Sequence, residues 1–478
     1  MTRNLSVHRL LRVAVAAAIA APAVFAAGTP LERRTLRARD GTPLELVAGR
    51  LEVPENRGKP DSRKITLAFV RVKSPLSNAG PPVFMIAGGP GGSSIRMVTK
   101  LAQGGGKGFL TTLGGDLVGI DQRGVGESDP NLETTTTYNI PPEQPGNAAA
   151  QIKTIREICK AEAKRWRDQG VDLAGYTTAE SADDIDAVRA ALGYEKIALW
   201  GASYGSHLAL ATLRRHEDRI ARAVLIGPEG PDHTIKLPSQ ADETLQRLHE
   251  LIAKDDALKA QIPDFLGALR GVLAELERAP KFVEVDGTRV GLSKFDVQQV
   301  IANNIGGRAG LEKIPAMVQR MARGNFEEVA RELLEFRRSD GIGSAMQAVM
   351  DSASGLSPAR AARIAAESPK SLLGDAVNFP FPQVGEAWGA PDLGDDFRAP
   401  LRSKVPVLLI VGDLDSRTPV SNARELMEGL PNARMIVVEN AAHDVRWLQL
   451  HAAIGDFLAG REVSINSAAE PPLAFSTP

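Results

Sequence analysis

The sequence has little cysteine, few aromatic residues and almost no excess charge. Its 478 residues include one cysteine, Cys159, so neither an intrachain disulfide nor a cluster of thiolate metal ligands can form. The formal net charge of −1 provides no basic field for nucleic acid, and we expect no nucleic-acid partner. Stability must therefore come from a hydrophobic core, which 43% hydrophobic residues in a chain of this length can supply.

Residue patterns for metal and cofactor binding are also missing. The histidines are not paired at the spacing of metal ligands, and no complete dinucleotide-binding fingerprint occurs. The run at residues 104–107 has neither the leading glycine nor the Ser or Thr of a phosphate-binding loop. We expect no metal ion and no cofactor, so the chemistry must come from side chains and backbone.

Long hydrophobic runs are absent except near the N-terminus. The apolar stretch at residues 13–21 is too short to span a bilayer, and Pro22 interrupts it. Arginines precede this stretch, and small or apolar residues lead up to Ala26. This order is typical of a secretory signal peptide over residues 1–26, with cleavage near Ala26. We expect a secreted or periplasmic protein without stable membrane insertion.

The most informative stretch that is present is Gly-Ala-Ser-Tyr-Gly at residues 201–205. A β-prone run at 197–200 leads into it, and a helix-compatible segment at 206–214 follows. Strand, tight turn and helix in this order form a nucleophile elbow, in which a strained turn exposes a serine hydroxyl above the sheet. The flanking glycines fit because β-carbons would crowd the turn. Ser203 is therefore the predicted nucleophile.

A serine nucleophile needs a general base, and few of the seven histidines are placed to act as one. His443 falls in the loop after a short apolar strand at residues 435–438. His451 lies in a helical pattern and fits a helix face better. We predict His443 as the base, with an ordinary loop histidine as the alternative.

The carboxylate that orients the base is predicted in the loop after a buried-strand pattern at residues 405–411. Two aspartates, Asp413 and Asp415, occupy this loop, and Thr418 and Pro419 fit the N-cap and first residue of a following helix. Asp415 lies beyond the strand end, from where a carboxylate can reach an imidazole. We predict Asp415 as the acid that fixes the histidine tautomer, and Asp413 remains the alternative.

A glycine-rich loop at residues 87–94 follows a predicted strand at residues 82–86. Its backbone N–H groups, together with that of Tyr204 after the nucleophile, can form an oxyanion hole. We predict the amides of Gly89 and Tyr204 as the donors. The alternative is a loop that only turns the chain.

In these motifs the chain resembles the prolyl aminopeptidase and tripeptidyl aminopeptidase group of α/β-hydrolase serine peptidases. The matching residues are the Gly-Gly-Pro-Gly loop at 88–91, Asp-Gln-Arg-Gly at 121–124, the elbow, and Asp415 with Thr418-Pro419. The resemblance implies an α/β-hydrolase fold with a mostly parallel central sheet. Ala87 and Asp444 stand where many relatives have histidine and glycine, and the change at Ala87 leaves the backbone oxyanion donors in place.

A long insertion separates the strand pattern ending at Gly227 from the acid-bearing strand that begins at Val405. Much of it has apolar residues at helical spacing, and Asp286-Gly287 is typical of a hairpin turn. We expect a helical cap, as in the resembling peptidases. The predicted organisation is a signal peptide at 1–26, the first part of the hydrolase core at 27–230, the cap at 231–400, the second part of the core at 401–462, and a loosely ordered tail at 463–478.

The resemblance implies a serine aminopeptidase that releases an N-terminal residue or short peptide from oligopeptides through an acyl-enzyme, and the predicted signal peptide indicates that it is exported. Such an enzyme must hold a free ammonium, which calls for carboxylates at the closed end of its pocket. Glu229, Asp232 and Glu243 are candidates by position, although helix capping or solvation would also explain them. A carboxylesterase on the same scaffold and a catalytically silent binding protein are the alternatives.

Overall fold

The computed structural model describes residues 31–134, 136–339 and 343–477. The predicted signal peptide at residues 1–26 and its cleavage site near Ala26 lie outside the described residues. In the part of the chain that is described, no helix combines the length and the apolar character needed to cross a bilayer.

A large mixed β-sheet runs through the described part of the molecule, and a small hairpin stands apart from it. The strands in chain order are β1 (Glu32–Arg37), β2 (Pro43–Pro54), β3 (Lys64–Val72), β4 (Val83–Ile86), β5 (Leu117–Ile120), β6 (Ile197–Ala202), β7 (Ile220–Ile226), β8 (Lys281–Val285), β9 (Thr288–Leu292), β10 (Val407–Gly412), β11 (Ala433–Glu439) and β12 (Ser467–Ala469).

The strand order across the large sheet is β1-β2-β3-β5-β4-β6-β7-β10-β11-β12. The first three pairings, up to β3 with β5, are antiparallel. Every later pairing, from β5 with β4 to β11 with β12, is parallel. The predicted fold class, with a mostly parallel central sheet, is confirmed.

Helices cover both faces of this sheet and make up most of the insertion. They are α1 (Ser94–Leu113), α2 (Ala148–Asp168), α3 (Thr178–Ala191), α4 (Tyr204–His216), α5 (Pro238–Ala253), α6 (Asp256–Gln261), α7 (Phe265–Arg278), α8 (Lys294–Asn304), α9 (Arg308–Ala322), α10 (Glu327–Ser339), α11 (Ala345–Ser354), α12 (Pro358–Glu367), α13 (Gly385–Trp388), α14 (Gly394–Arg398), α15 (Val420–Met427) and α16 (His451–Leu458).

The two faces of the sheet pack into separate hydrophobic clusters because neighbouring strand residues point to opposite sides. Leu199 and Leu409 face a cluster that contains residues of α2, α3 and α4. Trp200 and Ile410 face the other cluster, with residues of α1 and α16. Strands covered on both faces are apolar throughout, which explains the continuous hydrophobic runs in the sequence.

The insertion between β7 and β10 has a hydrophobic core of its own, built around Leu248 of α5 and Leu269 of α7. The hairpin of β8 and β9 turns at Asp286 and Gly287, both with positive φ. Helices α11 and α13 differ from the rest of the insertion because their buried residues join the cluster of α2, α3 and α4. The insertion therefore consists of one part with its own core and one part packed on the sheet domain.

The tail after Val463 differs from the prediction of a loosely ordered segment. It forms β12 against β11, and Leu473 and Phe475 pack against the core of the insertion. The guanidinium of Arg308 on α9 donates to the carbonyls of Pro471 and Pro472 at 2.8 and 2.6 Å. Prolines in a terminal segment favour a loosely ordered tail, but here their carbonyls accept hydrogen bonds from an arginine that is distant in sequence, and these bonds hold the tail in place.

Candidate active site

Ser203 lies at the sharp turn between β6 and α4. Its backbone has φ +53° and ψ −126°, a strained conformation for a residue with a side chain. The Ser203 N–H donates to the carbonyl of Ile226 at the end of β7, at 2.9 Å, which holds the turn in place. The geometry is that of the predicted nucleophile elbow.

The glycines on either side of the elbow are required by close backbone approach. A β-carbon at Gly201 would lie 2.2 Å from the carbonyl oxygen of Gly205. A β-carbon at Gly205 would lie 2.2 Å from the carbonyl oxygen of Ile86 on β4. No other amino acid fits at either position without moving the strands that carry Ser203.

His443 and Asp415 meet as the sequence predicts. The loop after β10 carries Asp415, the loop after β11 carries His443, and His443 Nδ1 lies 2.9 Å from Asp415 Oδ2. The other carboxylate oxygen accepts the backbone N–H groups of Arg417 and Thr418, both at 2.8 Å. The Asp415 side chain is fully buried, whereas 23% of the His443 side chain is exposed. This is the arrangement of a base held by a fixed carboxylate.

The pKa of Asp415 reflects two opposing effects. Burial would raise this pKa, but the His443 ring and the donors of Thr418 outweigh burial, so the pKa lies below its ordinary value. The Thr418 hydroxyl donates to Asp415 Oδ2 at 2.7 Å and lies 3.2 Å from His443 Nδ1. The helix begins only at Val420, with Pro419 as its N-cap, so Thr418 is not the predicted N-cap. Its hydroxyl braces the acid instead.

The alternative acid and the alternative base lie elsewhere. Asp413 Oδ2 is 3.7 Å from a guanidinium nitrogen of Arg247, and burial raises the pKa of this carboxyl. His451 is exposed as the first residue of α16, and its Nδ1 lies 2.9 Å from the carbonyl oxygen of Leu448. The structure brings neither residue to the position that Asp415 and His443 occupy.

Ser203, His443 and Gly89 line one cavity with a volume of about 500 Å³. The hydrogen bonds of the His443 ring run to Asp415 and Thr418, and none to Ser203 is formed in this structure. In empty active sites such a bond is often long and shortens when substrate binds. The nucleophile and the base predicted from the sequence therefore face the same space.

Gly227, just after β7, lies directly beneath the His443 ring. Its φ is +55°, and a β-carbon there would lie 3.0 Å from His443 Cε1 and 2.9 Å from Thr418 Oγ1. Its N–H donates to the carbonyl of Ile410 at 2.8 Å. Gly227 therefore leaves the room in which the ring and the threonine hydroxyl sit.

The predicted oxyanion donors lie on two elements beside the nucleophile. Gly89 lines the cavity, and Gly88 next to it is so close to the elbow that a β-carbon would lie 3.1 Å from Ser203 Cβ. Tyr204 is the first residue of α4, and the first N–H groups of a helix have no acceptor within the helix. Gly89 thus lines the same cavity as Ser203, and the Tyr204 amide directly follows the nucleophile in the chain.

The loop with Gly89 is braced from behind by Asp121. One carboxylate oxygen of Asp121 accepts from the Ser93 hydroxyl at 2.7 Å and from the Ile95 N–H at 3.0 Å. Arg123, fully buried, binds Asp184 through two nitrogens at 2.7 Å each. Neither side chain lines the cavity, so the Asp-Gln-Arg-Gly motif cross-links the framework around the site.

Of the three carboxylates that the sequence proposes for a substrate ammonium, only Glu229 lines the cavity. It is buried, and its Oε2 is 2.6 Å from Lys236 Nζ. Burial would raise its pKa, but Lys236 together with His207 and His233 more than compensates, and the pKa is lowered. Asp232 instead accepts from the N–H and hydroxyl of Ser357 at 2.7 and 2.6 Å, while Glu243 is exposed on α5.

Asp351 on α11 is a second carboxyl in the cavity, and it was not among the residues predicted from the sequence. Burial raises its pKa well above the ordinary value, the nearby Glu229 carboxylate raises it further, and Lys236 acts in the opposite direction. No motif surrounds Asp351 in the sequence, and α11 enters the site only through its packing on the sheet domain. Only the three-dimensional structure could identify it.

Comparisons with known proteins agree with this fold. The family described as alpha/beta hydrolase fold matches residues 81–449. The tripeptidyl aminopeptidase of Streptomyces lividans is 32% identical over 223 residues, which cover 45% of this chain and 41% of that protein. The serine protease Hip1 of Mycobacterium tuberculosis (strain H37Rv) is 30% identical over 199 residues, covering 40% of this chain and 37% of that protein.

The chain thus matches less than half the length of these curated relatives. Among solved structures, a thermophilic esterase from Thermogutta terrifontis is 16% identical with a TM-score of 0.35, over 86% of this chain and 98% of that chain. The family match extends over most of the chain, from the strand before the glycine-rich loop to beyond His443. The chain therefore belongs to the α/β-hydrolase family.

Proposed function

We propose that this chain is an exported serine aminopeptidase that removes an N-terminal residue or short peptide from oligopeptides. The observation that carries the proposal is the content of one cavity: Ser203, His443 held by Asp415, and the carboxyl groups of Glu229 and Asp351. Nucleophile and base account for acyl transfer, and the carboxyl groups account for binding of a free amine.

In the proposed reaction Ser203 Oγ attacks the scissile carbonyl while His443 Nε2 takes its proton. Asp415, bonded to Nδ1, keeps the imidazole in the right tautomer and stabilises the imidazolium. The amides of Gly89 and Tyr204 receive the oxyanion, and the loss of one such donor typically costs about 2.7 to 4 kcal/mol. His443 then protonates the leaving amine, and water hydrolyses the acyl-enzyme.

The substrate ammonium is assigned to Asp351, with Glu229 beside it. Glu229 already has the Lys236 ammonium at 2.6 Å, whereas the structure gives the Asp351 carboxyl no hydrogen-bond donor among the described residues. A bound ammonium would favour the ionised form of Asp351 and lower its raised pKa. Amine binding is therefore coupled to release of a proton from this carboxyl.

Part of the remaining wall of the cavity is apolar. Ile235, Val377, Phe379 and Phe381 line it, and the Phe379 ring packs edge-on against Phe295 with centroids 5.0 Å apart. Such a wall suits an apolar or prolyl side chain next to the scissile bond. Oligopeptides with an apolar residue at this point are the proposed substrates.

The test compares free and N-acetylated peptidyl amides and simple esters as substrates of wild type and Ser203→Ala. We expect wild type to cleave the free peptides at least ten times better than the acetylated ones, and Ser203→Ala to cleave neither. Equal cleavage of both forms would contradict the amine site. Ester turnover without any peptide cleavage would identify a carboxylesterase, and failure of a fluorophosphonate to label Ser203 would identify a silent binding protein.

A further inference from the structure

Arg417 is a cation of the cavity wall that the proposed mechanism does not use. Its Nη2 donates to the carbonyl of Ala302 at 3.3 Å, and within the described residues no carboxylate forms an ion pair with its guanidinium. The buried arginines Arg123 and Arg337, by contrast, pair with Asp184 and Asp296 at 2.7 and 2.9 Å. Most of the five N–H donors of Arg417 are therefore available to a ligand.

The Arg417 side chain is half-buried, and a partly desolvated cation without a partner is costly to the folded protein. Burial lowers the pKa of the Arg417 guanidinium, although the Asp415 carboxylate acts in the opposite direction. Enclosed charges in proteins are usually paired, because lost hydration must be replaced by hydrogen bonds or an opposite charge. An anionic group on the substrate would supply the missing partner.

The position of Arg417 indicates which part of a substrate it meets. The backbone N–H of Arg417 donates to the Asp415 carboxylate. The Arg417 side chain packs against Gly306, and the Gly306 carbonyl accepts the backbone N–H of His443 at 3.2 Å. The guanidinium therefore lies on the histidine side of the site. His443 gives its proton to the departing amine, so the leaving peptide must occupy this side.

The carboxyl group assigned to the substrate ammonium is carried by another element: Asp351 lies on α11, whose Met350 contacts Tyr204, whereas Arg417 contacts Ala302 of α8. The charges that act on Asp351 are those of Glu229 and Lys236, whereas the charge that acts on Arg417 is that of Asp415. A cavity of about 500 Å³ has the size of sites for small organic ligands, so both ends of a short peptide can lie within it.

We propose that Arg417 binds the α-carboxylate of the leaving peptide, so that the enzyme selects short peptides with a free C-terminus close to the scissile bond. This rests on the proposed aminopeptidase function and adds the second end of the substrate to it. Guanidinium and carboxylate match in shape and charge and can form two parallel hydrogen bonds.

The experiment uses pairs of short peptides that differ only in a free or amidated C-terminus, and measures kcat/KM for each member. We expect wild type to prefer the free acid about tenfold or more, and Arg417→Gln to bring the ratio close to one. Arg417→Lys keeps the charge without the planar fork and should retain part of the preference. Arg247→Gln is the matched control, because it removes a nearby cation that does not line the cavity.

A second readout separates this proposal from the first. Ser203→Ala with and without Arg417→Gln is titrated calorimetrically with both peptide forms, so that binding is measured without turnover. Equal affinity for acid and amide in the Ser203→Ala protein would overturn the role of Arg417, even if peptides with a free amine are cleaved. An equal loss on both peptide forms in Arg417→Gln would also overturn it, since a merely structural arginine predicts that result.

Discussion

At the scale of single residues, the histidine depends on a neighbour that carries no functional group. Gly227 has a positive φ, and its missing β-carbon makes room for the His443 ring and the Thr418 hydroxyl. Substitution at this position should therefore affect the chemistry as well as the backbone.

We expect Gly227→Ala to lower both stability and kcat. The left-handed backbone costs an alanine about 1–2 kcal/mol, and the new methyl group pushes against His443. Gly193→Ala is the matched control, because Gly193 has φ +74° with nothing within 4 Å of an added β-carbon. Urea unfolding should show a loss of stability in both variants, at least as large in Gly227→Ala, but peptide hydrolysis should fall only in Gly227→Ala. Equal activity of the two variants would contradict the placement of the ring.

Asp351 provides a prediction about pH. Because its pKa is raised by burial and by Glu229, it is neutral at pH values where an ordinary aspartate is ionised, and kcat/KM for free-amine substrates should fall as pH drops through that raised value. Asp351→Asn should lower kcat/KM for these substrates about 10- to 100-fold and remove this part of the acid limb. A simple ester without an amine serves as the control substrate.

The stability of Asp351→Asn gives an independent check, because this substitution should lower activity without lowering the free energy of unfolding. When the pKa of a carboxyl is higher in the folded than in the unfolded state, the free energy of unfolding of the protein falls as pH rises between the two values. At neutral pH the asparagine variant should therefore be at least as stable as wild type by urea unfolding. A large destabilisation would mean that the carboxylate has a structural partner.

The difference between residues that could and could not be predicted from the sequence is physical. Ser203, Asp415 and His443 each follow a strand of the parallel sheet, and the carboxyl ends of such strands meet at one edge. Asp351 reaches the cavity from a helix of the insertion, whose docking depends on packing that no local pattern reports. The hydrogen bond from Thr418 to Asp415 could have been predicted from the sequence, because the hydroxyl lies only three residues after the acid. The sequence pattern instead favoured Thr418 as a helix cap.

At the scale of elements, the loop that carries His443 is attached to helix α9 of the insertion. Asp444 Oδ1 accepts the N–H of Arg308, the first residue of α9, at 3.0 Å. Gly307, the N-cap, has no side chain with which to do so. Asp444 therefore caps a helix of the insertion from the loop that carries His443.

Asp444→Ala should lower the free energy of unfolding by about 0.5–1 kcal/mol, because an exposed helix N-terminus loses its acceptor and a favourable charge. Asp444→Asn keeps an oxygen acceptor and should lose less. Chemical denaturation of the three proteins, with kcat measured in parallel, checks this. If alanine and asparagine behave alike, the cap contributes nothing measurable.

At the scale of the whole molecule, the tail joins the sheet domain to the insertion. Glu470 is buried between them, accepting the Arg446 N–H at 2.8 Å and lying 3.8 Å from Arg308. Beyond it, Leu473 and Phe475 cover the hydrophobic core of the insertion. The tail thus contributes to the stability of a part of the chain that is far from it in sequence.

Removal of residues 471–478 should lower the free energy of unfolding by about 1–3 kcal/mol through loss of the packing of Leu473 and Phe475. Phe475→Ala should reproduce about half of the effect. Ile465→Ala is the control, since Ile465 is an apolar residue of the same tail that is 39% exposed. A truncated protein with unchanged thermal and urea transitions would contradict this role.

The packing of α11 against α3 and α4 bears on how many residues the proposed aminopeptidase would release. Thr178 Oγ1 on α3 lies 3.0 Å from the Tyr204 hydroxyl and 3.1 Å from Ser354 Oγ on α11, and Met350 of the same helix contacts Tyr204. Asp351 is thereby fixed to the same framework as the attacking oxygen. In the proposed aminopeptidase, the substrate ammonium would bind at Asp351, so the fixed distance from this carboxyl to Ser203 would set how many residues are cut from each peptide.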